Sequence, residues 1–214
     1  MGNSLLITRP EYDPPTYYLS KWSKYIIDEA RNKGVRVIDL WRDKANRKRV
    51  VGTLEKVAPR LVFFNGHGSE DFITGHGGKV VLRKGDGKAV KSKIIFARSC
   101  RCAKVLGQYA IEQGALAFLG YKEDFWLRCN ITKISQPLED KTAALFLKPS
   151  NHLMVALLKG HSTGYANAKS KELFRKNIKE LLIAGPSAED YDSITALYWN
   201  MIHQVCLGDK DAIF

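Results

Sequence analysis

Two apolar runs in the sequence each end close to a residue that can take part in covalent catalysis. Residues 61–64 are followed by His67 and Gly68, and residues 94–97 are followed by Cys100. A cysteine attacks as its thiolate, so it needs a base or a positively charged environment. A neighbouring histidine can take the thiol proton and later return it to a leaving group. The pair therefore predicts acyl transfer, with attack on a carbonyl, formation of a thioester and hydrolysis of that thioester.

The residues around this pair have predicted roles as well. Gly68 lacks a Cβ, so its amide, together with the amide of Cys100, is expected to bind the oxyanion of a tetrahedral intermediate; losing such a donor typically costs about 3 kcal/mol. A helix predicted over residues 102–113 would direct the positive end of its dipole at the thiol. Arg98 and Arg101 would add positive charge nearby.

Other interpretations of the same residues stay open. Cys100 could be an ordinary buried cysteine at a strand end, since cysteine is among the most buried residue types. Cys102 is a competing nucleophile. A zinc site built from His67, His76 and the two cysteines is a further alternative, although structural zinc sites usually show closer paired spacings. His76 lies in a Gly-rich stretch and is interpreted as loop structure.

The elements that must position these residues follow an alternating pattern of strands and helices. Strands are predicted at residues 4–8, 35–40, 61–64, 93–97 and 116–121. The first two helices are predicted from a cap at Thr16 to a stop at Gly34, and over about 43–58. This order predicts an α/β fold with a mostly parallel sheet covered on both faces. Right-handed crossovers place all carboxyl ends of the strands at one edge, where ligands bind in such folds.

Two regions depart from that alternation. Residues 66–92 form a long loop rich in Gly and charge, with one small strand at 80–82, and loops of this length are usually functional. From about residue 137 only helices are predicted. They cover residues 138–147, 150–159, 165–183 and 188–207. We therefore divide the chain into a catalytic core at 1–135 and a helical C-terminal region at 136–214 that packs on the core.

Composition restricts the class of protein. The chain has 214 residues, a net charge of +12 and 45% hydrophobic residues, and no run approaches the ~18 apolar residues of a membrane helix. The N-terminus is predicted to be a first strand and not a signal peptide, so a cytoplasmic location with four reduced cysteines is expected. The densest basic cluster, residues 42–49, is interpreted as a solvated helix face. Neither a nucleic acid nor a membrane is expected as a partner.

The order of these motifs resembles the caspase-like cysteine peptidases, a group that includes caspases, gingipains and CHAT domains. The similar segments are residues 61–68 (LVFFNGHG), 94–100 (IIFARSC), 114–121 (GALAFLGY) and 206–209 (CLGD). The resemblance implies a three-layer αβα sandwich, a catalytic dyad of His67 and Cys100, and an oxyanion donor at Gly68. The caspase pentapeptide is absent and the spacing of 33 residues from His67 to Cys100 is short. This favours the CHAT and gingipain-like branch.

The function implied is a cysteine endopeptidase that hydrolyses peptide bonds in a protein or peptide substrate. No cofactor or metal is expected, while activation by calcium or by a regulatory protein, known among relatives, stays open. The alternative is a catalytically silent caspase-like module whose basic surface recruits an acidic protein or a nucleic acid.

Substrate selection at P1, the residue on the carbonyl side of the scissile bond, has two alternatives. Two acidic pairs lie close to the predicted catalytic residues, and either can receive a basic side chain in a charge-assisted hydrogen bond. The candidates are Glu70, Asp71, Glu123 and Asp124. The two arginines flanking the Ser-Cys pair would instead select an acidic P1 residue. A basic P1 preference is the prediction.

Overall fold

The computed structural model describes residues 3–214 and is organised around one large sheet. The strands are β1 (Ser4–Arg9), β2 (Arg36–Trp41), β3 (Leu61–Asn65), β4 (Phe72–Thr74), β5 (Val80–Arg83), β6 (Ile94–Arg98), β7 (Ala117–Tyr121) and β8 (Gln204–Gly208). The large sheet has the order β2-β1-β3-β6-β7-β8, and β4 pairs with β5 in a separate hairpin. All contacts between β2, β1, β3, β6 and β7 are parallel, whereas β8 runs antiparallel to β7.

Helices cover both faces of this sheet. They are α1 (Pro14–Asn32), α2 (Arg47–Lys56), α3 (Gly87–Val90), α4 (Leu106–Glu112), α5 (Lys141–Leu158), α6 (Thr163–Ile183) and α7 (Ala188–His203). One core packs α1, α5 and α6 against the sheet, and the other packs α2, α3 and α4 against its opposite face. Every residue of β3 and β6 is buried, as continuous apolar strands of a covered parallel sheet require. The predicted three-layer α/β fold is confirmed.

Several element boundaries differ from the prediction. Helix α1 is capped by Asp13, with Thr16 at the third helical position in a capping box, so Thr16 is not the cap. Helix α4 begins at Leu106, because residues 99–105 form bends and turns where a helix was expected from residue 102. The C-terminal region is not purely helical either, since the last part of the helix predicted over 188–207 is β8.

Helix α5 spans a region in which two helices were predicted, and Pro149 lies inside it. A proline has no N–H, so the carbonyl four residues earlier loses its helical donor. That carbonyl belongs to Leu145, and it accepts instead a hydrogen bond of 2.8 Å from the side-chain amide of Asn177 in α6. The helix continues through the proline because a neighbouring helix satisfies the freed carbonyl.

The region beyond residue 135 contributes α5 to one core and β8 to the edge of the sheet. The domain boundary at 135 stays a prediction. Residues 1 and 2, which precede the strand predicted at 4–8, lie outside the described residues. Within residues 3–214, none of the helices combines the length and the apolar composition needed to cross a membrane.

Candidate active site

The sheet brings His67 and Cys100 to one cavity. Strands β3 and β6 are paired in parallel up to Asn65 opposite Arg98. His67 follows the end of β3 by two residues, and Cys100 follows the end of β6 by two residues. Both residues line a cavity of about 220 Å³ at this edge of the sheet. The rest of the lining consists of Pro15, Leu19, Gly66, Arg98, Ser99, Phe125 and Leu127. The nucleophile and base expected from the sequence therefore line the same cavity.

His67 is held by a carboxylate that the sequence interpretation missed. Its Nε2 lies 2.7 Å from Asp13 Oδ2, and the other oxygen of Asp13 accepts from the Thr16 amide at 2.9 Å. Burial tends to raise the pKa of Asp13, but hydrogen bonds from Thr16 and His67 outweigh burial and lower it. An ionised carboxylate only accepts hydrogen bonds, so Nε2 carries the hydrogen and Nδ1 is left as the proton acceptor. The available signal was Asp13 before Pro-Pro-Thr, which is a helix-capping pattern.

The surroundings of Cys100 differ from those predicted. The pKa of its thiol is raised, mainly by burial, and the carboxylate of Asp124 adds to that effect. The backbone N–H of Phe125 and the charge of Arg101 act in the opposite direction. The expected helix dipole does not operate, since α4 starts six residues later and has only seven residues. The raised pKa favours the neutral thiol, so formation of a thiolate calls for a base.

Gly68 packs directly against the segment that carries Ser99 and Cys100. A Cβ added at Gly68 would lie 2.9 Å from the carbonyl oxygen of Cys100 and equally close to the Cβ of Ser99. Gly68 also forms an isolated antiparallel bridge with Ile73. The two hydrogen bonds of that bridge run from Ser69 N–H to Phe72 and from Thr74 N–H to His67. The N–H of Gly68 is not used in them, so it points away from Ile73.

Arg98 is not a surface charge beside the thiol. Its side chain is completely buried and donates to Asn65 Oδ1 at 2.6 and 3.0 Å, to Asn151 Oδ1 at 3.0 Å and to Ser23 Oγ at 2.7 Å. Burial lowers its pKa to about 9, which leaves the guanidinium charged at neutral pH. Its role in the fold is to join β3, β6, α1 and α5 beneath the cavity.

The competing assignments at this edge lose support. Cys102 is fully buried, its thiol donates to the carbonyl of Ser99 at 3.3 Å, and burial raises its pKa to about 12. His76 lies in a short turn, where its Nδ1 accepts from the amide of Glu11 at 3.3 Å. Across residues 3–214, no group of three or more His, Cys, Asp or Glu side chains is placed to hold a metal ion.

The four acidic candidates for P1 recognition do not line the cavity. Glu70 and Glu123 both pair with Lys104, at 3.4 and 2.9 Å. Asp124 pairs with Arg101 at 2.9 Å, and its carboxylate contributes to the raised pKa of the Cys100 thiol. Asp71 is exposed beside the β4–β5 hairpin. The carbonyl of Glu70 accepts the amide of Leu106, and this bond holds its loop over the start of α4 rather than over the cavity.

Residues missed by the sequence interpretation complete the cavity. Phe125 and Leu127 line it from the segment after β7, while Pro15 and Leu19 line it from α1. Their apolar character was visible, but their distance from the dyad along the chain hid the connection. Ser99 is also buried in this lining, and its hydroxyl has no hydrogen-bond partner in the part of the chain that the structure describes.

Comparisons with known proteins define the class of fold. No model of a protein family matches the sequence, and no curated protein matches it. The crystal structure of the Arg-specific cysteine proteinase gingipain R superposes with a TM-score of 0.65 and 13% identity, over 99% of this chain and 47% of that one. The complex of the Porphyromonas gingivalis RgpB pro- and mature domains gives a TM-score of 0.63 and 12% identity, over 98% and 48%.

A third structure, described as a protease, matches with a TM-score of 0.51 and 13% identity over 99% of this chain. The chain spans slightly less than half the length of the chains that it matches. The protein thus has the caspase-like α/β fold seen in gingipain R. Assignment to the CHAT branch in particular stays a prediction, and at this identity the likeness concerns the fold.

Proposed function

We propose that the protein is a cysteine endopeptidase with Cys100 as nucleophile and His67 as base. The observation that carries this proposal is the shared cavity, in which both residues lie beside Gly68 and His67 is fixed by Asp13. A histidine placed for packing alone would not need a partly buried thiol in the same cavity, a carboxylate partner and a glycine in contact with the nucleophile backbone. The superposition on a cysteine proteinase supports the same reaction class.

The reaction follows from these positions. Nδ1 of His67 takes the Cys100 proton, and the thiolate attacks the carbonyl carbon of the scissile peptide bond. The resulting oxyanion accepts hydrogen bonds from the N–H groups of Gly68 and Cys100. His67 then protonates the leaving amine, the C–N bond breaks, and a thioester remains. A water molecule, deprotonated by His67, attacks the thioester, releases the carboxylic acid product and restores the thiol.

The raised pKa of Cys100 makes proton transfer to His67 an obligatory part of this mechanism. Cysteine peptidases can use a preformed thiolate when a helix dipole or a cation lowers the thiol pKa. Here burial opposes ionisation, and Arg101, whose charge lowers the pKa of the thiol, is engaged with Asp124. The ion pair of His67 with Asp13 therefore stabilises the imidazolium that forms as the thiol ionises.

A basic P1 preference is the finer part of this proposal. It is supported by the arginine specificity stated for gingipain R and by the position of Asp124 next to the nucleophile. A P1 arginine would have to compete with Arg101 for that carboxylate. Glu70, Asp71 and Glu123 have less support, since they lie outside the cavity lining.

The alternative, a catalytically silent binding module, is favoured by the raised pKa of the Cys100 thiol. A regulatory protein partner is a further proposal. It is supported by the RgpB structure, which contains a pro-domain in complex with the mature domain.

The test is hydrolysis of fluorogenic peptides that differ only at P1, carrying Arg, Lys, Leu or Asp, with and without calcium. Wild-type protein should cleave at least one peptide, while Cys100→Ala should be inactive and Cys102→Ala should keep the activity. Cleavage of the Arg and Lys peptides that falls in Asp124→Asn supports the basic preference. No hydrolysis of any peptide or of denatured protein would favour the binding module.

A further inference from the structure

A second cavity lies away from His67 and Cys100, in a groove between α1 and α5. It has a volume of about 750 Å³ and shares no lining residue with the cavity beside Cys100. Its lining consists of Lys21, Trp22, Lys24, Tyr25, Asp28, Leu138, Lys148, Asn151, His152, Val155 and Lys159. We call this the α1–α5 groove.

The groove collects positive charge from both helices. On α1, Lys21, Lys24 and Asp28 follow helical spacing, while Lys148 lies in α5 and Lys159 is the C-cap of that helix, about three turns further on. Asp28 is the only carboxylate in the lining. Among residues 3–214, Lys24, Lys148 and Lys159 make no ion pair, whereas Lys21 contacts Glu11 at 3.4 Å. Three lysines of the lining therefore have no ion-pair partner among the described residues.

His152, which lines the groove, experiences the same positive electrostatic potential. It is half-buried, and its pKa is lowered first by burial and then by the charges of Lys159 and Lys169. Glu172 acts in the opposite direction and His161 in the same direction as the lysines. The positive potential therefore extends from the rim of the groove to a partly enclosed side chain.

The floor of the groove is fixed before any ligand arrives. Asn151 donates to the carbonyl of Trp22 at 2.8 Å and accepts from Arg98 at 3.0 Å. The indole N–H of Trp22 donates to the carbonyl of Pro137 at 2.9 Å. These buried bonds join α1, α5, β6 and the segment before α5, so binding would need only the lysine side chains to become ordered.

We propose that the α1–α5 groove binds an anion that carries several phosphate groups. Separate lysine amines act as point charges that suit a chain of phosphates, whereas a single carboxylate would leave two of them unpaired. Tyr25 is exposed at the groove and offers a ring against which a nucleoside base can stack. Inorganic oligophosphate and nucleoside triphosphates share this chemistry. The proposal is independent of the peptidase activity.

Calorimetric titration with sodium tripolyphosphate in magnesium-free buffer tests this proposal. The groove variant is Lys24→Gln/Lys148→Gln/Lys159→Gln. The matched control is Lys84→Gln/Lys88→Gln/Lys91→Gln, which removes three exposed, unpaired lysines of the β5–α3 region on the opposite face of the sheet. The groove variant should weaken binding about tenfold or more, as three exposed pairs predict, and the control by less than about threefold.

Equal weakening of binding by the two variants would show non-specific attraction to a basic protein and would overturn the proposal. The absence of binding at millimolar tripolyphosphate would overturn it as well. The His152 ring resonances supply a second readout. They should shift on titration, and the pKa of His152 should rise, whereas resonances that do not move would contradict the location. A parallel titration with ATP distinguishes a nucleoside triphosphate from inorganic oligophosphate as the ligand. If ATP binds more tightly than tripolyphosphate and this difference is lost in Tyr25→Ala, the groove recognises a nucleotide. If the two bind equally, the groove recognises the phosphates alone.

Discussion

Replacing Asp13 by Asn tests how the site positions its base. Asn is as good a helix cap as Asp, and its Oδ1 can still accept from the Thr16 amide, so α1 should keep its start. The atom facing His67 becomes an amide nitrogen, which donates instead of accepting. Nε2 must then become the acceptor, and the ring hydrogen moves to Nδ1. His67 would face the thiol with the wrong tautomer.

The size of the effect follows from the bond that is lost. The Asp13–His67 contact is a charge-assisted hydrogen bond of 2.7 Å, a kind worth about 1.5–3 kcal/mol. Both side chains are partly exposed, at 45% for His67 and 29% for Asp13, so water reduces the loss and the lower half of that range applies. We expect kcat/KM to fall about 10- to 30-fold in Asp13→Asn.

The assay is hydrolysis of the best fluorogenic peptide, with the free energy of unfolding measured in urea on the same samples. Thr16→Ala is the matched control, because it weakens the capping box but leaves the Asp13–His67 bond in place. The control should lose stability and keep activity, whereas Asp13→Asn should do the reverse. Activity of Asp13→Asn within twofold of wild type would refute the positioning role.

Three further changes have defined outcomes. Gly68→Ala places a methyl group 2.9 Å from the Cys100 carbonyl oxygen, so kcat/KM should fall at least about 100-fold, and retention of activity would contradict the close packing of Gly68 against residues 99 and 100. Glu11→Gln should lower the free energy of unfolding at pH 7 by about 2 kcal/mol. Burial tends to raise the pKa of Glu11, but hydrogen bonds outweigh it and lower the pKa from 4.5 to about 2. The ionised carboxylate therefore stabilises the fold above pH 4.5, and this stabilisation is lost as the pH falls towards 2. At pH 2 the wild-type protein and Glu11→Gln should have similar free energies of unfolding. Arg98→Met leaves Asn65 and other buried acceptors without their donor, so the free energy of unfolding in urea should fall by about 3 kcal/mol. A smaller decrease would indicate that these acceptors find other donors.

The sequence was sufficient to predict that His67 and Cys100 lie together at one edge of the sheet, because the signals for this placement are local. A continuous apolar run that ends in a reactive residue indicates a buried strand with chemistry at its carboxyl end, and two such runs place His67 and Cys100 at one edge. The glycine after His67 was informative for the same reason. Each of these inferences needs only the strand period and the rule that parallel strands end together.

The parts that sequence reasoning missed depend on contacts between distant segments. Asp13 lies 54 residues from His67 along the chain, and only the packing of α1 brings the two together. The ionisation state of Cys100 was misjudged because seven residues of turns separate β6 from α4, a difference that helical spacing alone did not reveal. Strand β8 was taken for helix because its apolar residues continue the pattern of α7, and pairing with β7 decides between the two.

The acidic residues show a second reason why the sequence alone was insufficient. Neighbouring acidic residues can be found in the sequence, but the cations with which they form ion pairs in the fold cannot. Lys104 neutralises both Glu70 and Glu123, and this pairing depends on how the loop after β3 meets the segments around α4. A carboxylate that already has a cation in its own chain is a weak receptor for a basic substrate side chain.

Covalent labelling by a peptide acyloxymethyl ketone, with the adduct located by peptide mass mapping, tests the central claim most directly. The probe should modify Cys100 alone in wild-type protein, and His67→Ala should slow labelling by about 100-fold or more, since it removes the base for a thiol of raised pKa. Cys102 should stay unmodified in every variant. Adducts on another cysteine, or labelling of Cys100 at the same rate without His67, would contradict the account.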